Sequence, residues 1–173
     1  ERSDVYRRYG GGVLVCCGSH ILDLTCFFLG RPRKLYAPMH TPKNTDCDLL
    51  AAVLMETANG PVHYEALGHP HSRNGYLRDG WDERVEIVAE RGRLEVFTPT
   101  WDKGDQKGGL LRHYDEATGT STEYRYPAES AFIPALEFFC RQIERGEQGG
   151  QSRLTGYDVD ELIAHIGQSA STG

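Results

Sequence analysis

A chain of 173 residues with 39% apolar and 25% charged residues has the size of one ordinary domain and enough apolar surface to bury a core of its own. Nineteen basic against twenty-five acidic residues give a formal charge of −6, and the lack of any Lys/Arg cluster beyond Arg31-Pro32-Arg33-Lys34 excludes a nucleic-acid backbone as partner. No apolar run is long enough for a bilayer and Glu1-Arg2-Ser3-Asp4 has no signal-peptide pattern, so a cytoplasmic protein with no membrane contact is expected; the five cysteines form no CxxC pair and read as reduced thiols.

In chain order, Val13 to Leu29 comes first. Leu14, Cys17, Ile21, Leu24 and Phe28 recur at three- and four-residue steps, which predicts a helix. Gly10-Gly11-Gly12 lead into it and Gly30-Arg31-Pro32 stop it. The segment is apolar nearly all round and is expected to be buried on most sides. Its polar exceptions are Ser19, His20 and Asp23.

Residues 35 to 126 read as hairpins. Leu49 to Thr57 and Val62 to Leu67 turn at Asn59-Gly60, and Arg84 to Glu90 and Arg93 to Thr98 turn at Arg91-Gly92. A weaker pair, Leu110 to Asp115 and Thr122 to Tyr126, spans Ala117-Thr118-Gly119. Between them, His69 to Asp82 and Pro99 to Gly109 lack periodicity and read as loops. Beyond Ser130, a candidate cap, Ile133, Leu136, Phe139, Cys140 and Ile143 form a second helical stripe, and Val159, Leu162, Ile163 and Ile166 a third. The order helix, antiparallel strands, two helices predicts an α+β class: an open, mostly antiparallel sheet with helices packed on one face, as a single domain over 1–173.

Taken alone, His20 suits proton exchange with a hydroxyl near neutral pH, although a histidine on a buried helix is also a common core group. Asp23, three residues on, shares its face. Tyr76, Arg78, Trp81 and Trp101 fall in the two loops, where rings and guanidinium groups suit sugar faces and hydroxyls or serve as clamps over a sheet. Cys16, Cys17 and His20 make a poor metal site, because adjacent helical cysteines diverge by about 100°. His69 and His71, with His63 and His40, read as polar loop and strand positions, one of which could touch substrate.

The stretch Gly10-Gly11-Gly12-Val13-Leu14-Val15-Cys16-Cys17-Gly18-Ser19-His20-Ile21-Leu22-Asp23 resembles the core-helix motif of the Gfo/Idh/MocA oxidoreductases: a glycine triplet, an acidic residue four before a Gly-x-His histidine, and an Asp three after it. Phe132 to Gly146 and Thr155 to Ser169 resemble that family's last two helices, with Ser169 at its terminal serine. Cys16 stands where the family has the acid, and a thiol is a poor substitute for a carboxylate acceptor.

The resemblance implies the substrate-side, dihydrodipicolinate-reductase-like domain of an NAD- or NADP-dependent enzyme acting on a sugar, inositol or related polyol. It implies His20 and Asp23 as the catalytic pair, and the loop residues Tyr76, Arg78, Trp81 and Trp101 are the substrate-binding candidates beside them. It further implies a homodimer or homotetramer built through the sheet. The family's Rossmann domain and its Glu-Lys-Pro motif are absent from this sequence, so no cofactor is expected on this chain alone, which should be inactive by itself. The alternative is a non-catalytic binding or oligomerisation module that keeps the fold.

Overall fold

The computed structural model describes residues 11–43, 45, 47–68, 81–100, 104–147 and 156–172, which fall into two compact units divided near residues 70 and 150. The first unit holds the helix α1 (Ser19–Leu29), entered through a π-helical turn at Leu14–Gly18, the strands β1 (Lys34–Tyr36), β2 (Met39–His40), β3 (Leu50–Thr57) and β4 (Gly60–Leu67), and the closing helix. The second holds β5 (Trp81–Ala89), β6 (Gly92–Pro99), β7 (Leu110–Asp115), β8 (Thr120–Arg125) and α2 (Phe132–Arg145). The closing helix, α3, spans Gly156–Thr172.

Every strand pair is antiparallel, but the strands form two four-stranded sheets. In the first, β1 and β2 share one edge of β3 and β4 takes the other, with Leu54 opposite His63 and Thr57 opposite Gly60. The two short strands escape a sequence reading because three and two residues carry no visible alternation. The second sheet runs β5-β6-β7-β8. All three predicted turns close hairpins, with Gly60, Gly92 and Gly119 at positive φ, where a side chain would be strained.

The core of the first unit lies on one face of its sheet. Ala51, Val53 and Met55 of β3 and Tyr64 and Ala66 of β4 alternate inward and meet Leu14, Leu22 and Cys26 from one helix and Val159, Leu162 and Ile166 from α3. Leu22, Val53 and Ile166 are fully buried, each contributing on the order of 2 kcal/mol from removal of apolar surface from water. The outer face carries Tyr36, Leu54, His63, Glu65 and Leu67, all exposed.

The first helix differs from its sequence reading. Leu14, Gly18, Leu22 and Cys26 face inward, while Val15, Leu24, Phe27 and Phe28 are exposed, the last two 50% and 51%. The helix is thus buried on one side only. The wider π turn adds a residue per revolution and rotates the stripe that the 3.6-residue period assigns to Leu14, Cys17, Ile21, Leu24 and Phe28. Trp81 and Asp82 belong to β5 rather than to a loop, and Ser130 supplies a backbone carbonyl to Ile133, at 3.1 Å, rather than a side-chain cap. Among the described residues no helix is long and apolar enough to cross a membrane.

Candidate functional site

The start of the first helix is fixed from thirty-four residues away. The Leu14 N–H donates to Asp48 Oδ2 at 2.9 Å and the Val13 N–H to the Asp48 carbonyl at 3.0 Å, so a buried aspartate satisfies two of the helix's free donors. A Cβ on Gly12 would fall on that same carboxylate, and one on Gly18 on the Tyr64 hydroxyl. Glycine at these two positions is therefore a packing requirement. At the other end Gly30 turns the chain at φ 81°, and the Asn59 side chain donates to the Leu29 carbonyl at 3.1 Å. Arg31 pairs with Asp158 and, at 3.3 Å, with Glu161 of α3, while Ser169 Oγ accepts from the Ala37 N–H at 3.2 Å.

This clamping orients the outward side of the helix. With Gly18 and Leu22 inward, His20 is directed to solvent, and Asp23 is exposed one turn on. Neither makes a hydrogen bond or ion pair among the described residues, and they do not bond to each other. Cys16 is half-buried and Cys17 exposed. Among the described residues no group of three His, Cys, Asp or Glu side chains is placed to hold a metal. Burial pushes the Cys26 thiol above its ordinary value, helped by the Asp23 charge and opposed by Arg31.

In the second unit Trp81 packs on Phe97, with ring centroids 5.6 Å apart, and Lys107 Nζ stands 3.5 Å over the indole. Arg84 and Arg112 flank the Phe97 ring at 5.7 and 5.6 Å. Arg84 also bonds Glu86 and Glu95, at 2.7 and 2.8 Å, and Arg112 Nε donates to Glu123 at 3.0 Å. The hydrogen bond from Arg112, with Arg125 beside it, holds the Glu123 carboxyl below the ordinary carboxylate range. The face is dense in charge, but its charges are spent on one another. Tyr76, Arg78 and Trp101, together with His69 and His71, lie outside the described residues.

A nicotinamide dinucleotide needs a helix start whose free N–H groups can meet its pyrophosphate. The glycine-led helix of this chain is not such a place, because Asp48 already takes the N–H of Leu14 with its carboxylate and that of Val13 with its backbone carbonyl. That helix start does not fit the pyrophosphate.

A glycine-led helix bearing Gly18-x-His20, an antiparallel sheet beneath it and a closing helix pinned through Ser169 define a known class of domain. Residues 2–95 match the model of the GFO/IDH/MocA C-terminal domain, and the chain belongs to that family. It is 28% identical over 174 residues to the dTDP-3,4-didehydro-2,6-dideoxy-α-D-glucose 3-reductase of Saccharopolyspora spinosa, a match that takes in 95% of this chain and 48% of that protein.

Among solved structures it resembles UDP-N-acetylglucosamine 3-dehydrogenase from Acidithiobacillus ferrooxidans, with TM-score 0.70, 17% identity and coverage of 93% of this chain and 48% of that one. It also resembles an oxidoreductase from Agrobacterium radiobacter in complex with NAD+, L-tartaric acid and magnesium, with TM-score 0.68, 14% identity and coverage of 96% and 50%. At these identities the structures establish the fold alone. The chain spans about half the length of the relatives it matches.

Proposed function

We propose that this chain is the substrate-side domain of an NAD(P)-dependent oxidoreductase acting on a sugar, with a sugar carried on a nucleotide as the first substrate class to test. The observation that carries the reading is the position of His20: a solvent-facing imidazole on a helix whose start is locked by Asp48 and whose approach to the sheet is set by Gly18. An imidazole so placed can exchange a proton with a sugar hydroxyl. Two relatives named above act, by name, on dTDP- and UDP-linked sugars, and this supports the nucleotide-sugar class over inositol or a free polyol. The hydride chemistry belongs to the nicotinamide, which in this reading is held by a separate nucleotide-binding half. Association of copies through the outer sheet face, where Tyr36, Leu54 and Leu67 are exposed, belongs to the same proposal.

A second reading, a binding or oligomerisation module without catalysis, is favoured by one observation: His20 has no carboxylate partner among the described residues. Turnover separates the two. An enzyme uniting this chain with a nucleotide-binding half is assayed with NADH and NADPH against dTDP- and UDP-linked keto sugars, and with NAD+ and NADP+ against free polyols. Reduction of a keto sugar or oxidation of a polyol supports the first reading, and no turnover of the whole panel supports the second. Titration of NADH with this chain alone should leave the cofactor fluorescence unchanged.

A further inference from the structure

Among the described residues nothing bonds to the His20 imidazole, so the helix that carries it decides where it stands. That helix has apolar residues on two sides. Leu14, Gly18, Leu22 and Cys26 are buried in the observed rotation, whereas Leu24 and Phe28 are 37% and 51% exposed. The plain helical period would instead turn Cys17, Ile21, Leu24 and Phe28 to the sheet. At about 100° per residue, the stripe Gly18, Leu22, Cys26 and this second stripe are centred roughly 130° apart. His20 stands about 160° from the centre of the first and about 70° from the centre of the second, so it faces away from the core in one rotation and lies beside it in the other. Apolar burial alone does not choose between them.

The choice is made at the π turn, Leu14–Gly18, an uncommon geometry that concentrates at functional sites. It is held at both ends. At the first, the Leu14 N–H meets Asp48 Oδ2 at 2.9 Å and the Val13 N–H meets the carbonyl of the same residue at 3.0 Å. At the last, Gly18 lies against the Tyr64 hydroxyl of β4 so closely that no Cβ fits. Asp48 is buried, and the residue after it, Leu49, donates its N–H to the His40 carbonyl of β2 at 3.0 Å, which ties the hold to the sheet. The Val13 bond needs only a backbone carbonyl, which any residue at position 48 supplies. The Leu14 bond needs a short side chain bearing an oxygen, so it is the part of the hold that the sequence specifies.

We propose that Asp48 is a positioning residue for the reaction at His20, selecting through the Leu14 bond the helix rotation that presents the imidazole to a sugar hydroxyl. The catalytic part of this role rests on the oxidoreductase reading, whereas the rotation is a property of this chain by itself. Once the carboxylate is gone, the π turn relaxes to regular α geometry, Leu24 and Phe28 turn toward the sheet and Cys26 turns out of it. His20 then leaves the outward face with its own chemistry unchanged.

Thiol labelling of the chain with a chromogenic disulfide reagent reads the rotation, because Cys17 is exposed and Cys26 buried in the wild type and the two exchange places in the second rotation. In Asp48→Ala, Cys17 should react at least about tenfold more slowly and Cys26 at least about tenfold faster. Gly12→Ala, whose methyl group displaces the same carboxylate, should give the same exchange, and Asp48→Asn, which keeps an acceptor, should restore the wild-type pattern. Loss of structure alone would release Cys26 and Cys47 together and cannot protect Cys17. In an enzyme uniting this chain with a nucleotide-binding half, Asp48→Ala should lower kcat at least about tenfold at unchanged cofactor Kd, with Asp48→Asn within about threefold of the wild type. Cys17 as reactive as in the wild type in both alanine variants, or an asparagine variant that behaves as the alanine one, would overturn the rotation. Wild-type kcat in a variant whose thiols have exchanged would overturn the positioning role. An unmutated enzyme with no turnover would sink the oxidoreductase reading and the catalytic role with it, while the labelling still decides the rotation.

Discussion

The carboxylate of Asp48 accepts the backbone N–H of Leu14 at 2.9 Å, tying the start of the first helix to the segment just before β3. This bond does more than cap a helix. It occupies the anion-binding end of the glycine-led turn, forces glycine at position 12, and with the π turn sets the rotation that leaves His20 facing outward.

Asp48→Ala should cost about 1 to 3 kcal/mol, because it removes the side-chain acceptor and leaves the Leu14 N–H near the core short of a partner, while the Val13 N–H keeps the backbone carbonyl of residue 48. Asp48→Asn retains an acceptor and should recover part of that loss. Urea denaturation followed by circular dichroism measures both, and an Ala variant as stable as the wild type would contradict the capping role.

Gly18→Ala should destabilise by about 1 to 3 kcal/mol, since its methyl group meets the Tyr64 hydroxyl. Removing that oxygen relieves the clash, so in the Tyr64→Phe background the alanine should cost clearly less. A double-mutant cycle reads the coupling, and strictly additive losses would show that the two residues do not press on each other.

Cysteine accessibility divides the thiols. Cys17 and Cys140 are exposed, whereas Cys26 and Cys47 are buried and the Cys26 thiol is raised by burial and by Asp23. With a chromogenic disulfide reagent at neutral pH, Cys17 and Cys140 should react rapidly, and Cys26 and Cys47 only on unfolding. Because the folded thiol of Cys26 is the weaker acid, its contribution to stability is present below the ordinary thiol range and is lost as pH rises beyond it. Rapid labelling of Cys26 in the native chain would contradict its packing against α3.

The sign is opposite for Glu123. Its carboxyl is lowered by Arg112 and then Arg125, so the contribution is present above the ordinary carboxylate range, about pH 4, and is lost as pH falls through the lowered folded value. The pair is on the surface and its effect is small. The difference in Tm between wild type and Glu123→Gln should therefore be measurable near neutrality and vanish in acid. A difference that grows on acidification would reverse the assignment.

What the sequence makes legible is what depends on near neighbours. Asn59-Gly60, Arg91-Gly92 and Ala117-Thr118-Gly119 mark their hairpins because turn conformation is a matter of two or three residues. Gly12, Gly18 and His20 stand out in the sequence, yet the reasons for the two glycines, Asp48 and Tyr64, lie thirty-six and forty-six residues further on.

The buried side of the first helix is misjudged for the same cause. A π turn held by a distant aspartate shifts the inward stripe to Leu14, Gly18, Leu22 and Cys26, and no periodicity within the helix announces it. Trp81 looks like a loop residue because its strand partner, Pro99, sits at the far end of the hairpin. The stripe on α2 reads as core from its spacing alone, yet none of the helix's residues is buried.

The proposal that His20 serves a sugar hydroxyl is tested most directly by steady-state kinetics of His20→Ala in an enzyme that unites this chain with a nucleotide-binding half, beside a direct measurement of cofactor Kd. A positioned proton donor or acceptor is worth on the order of 100-fold or more in kcat. The account predicts a loss of that size with cofactor Kd unchanged, and a partial return with His20→Gln is not expected, since an amide cannot titrate. Wild-type kcat in His20→Ala would contradict it and leave His20 a surface histidine on a structural helix.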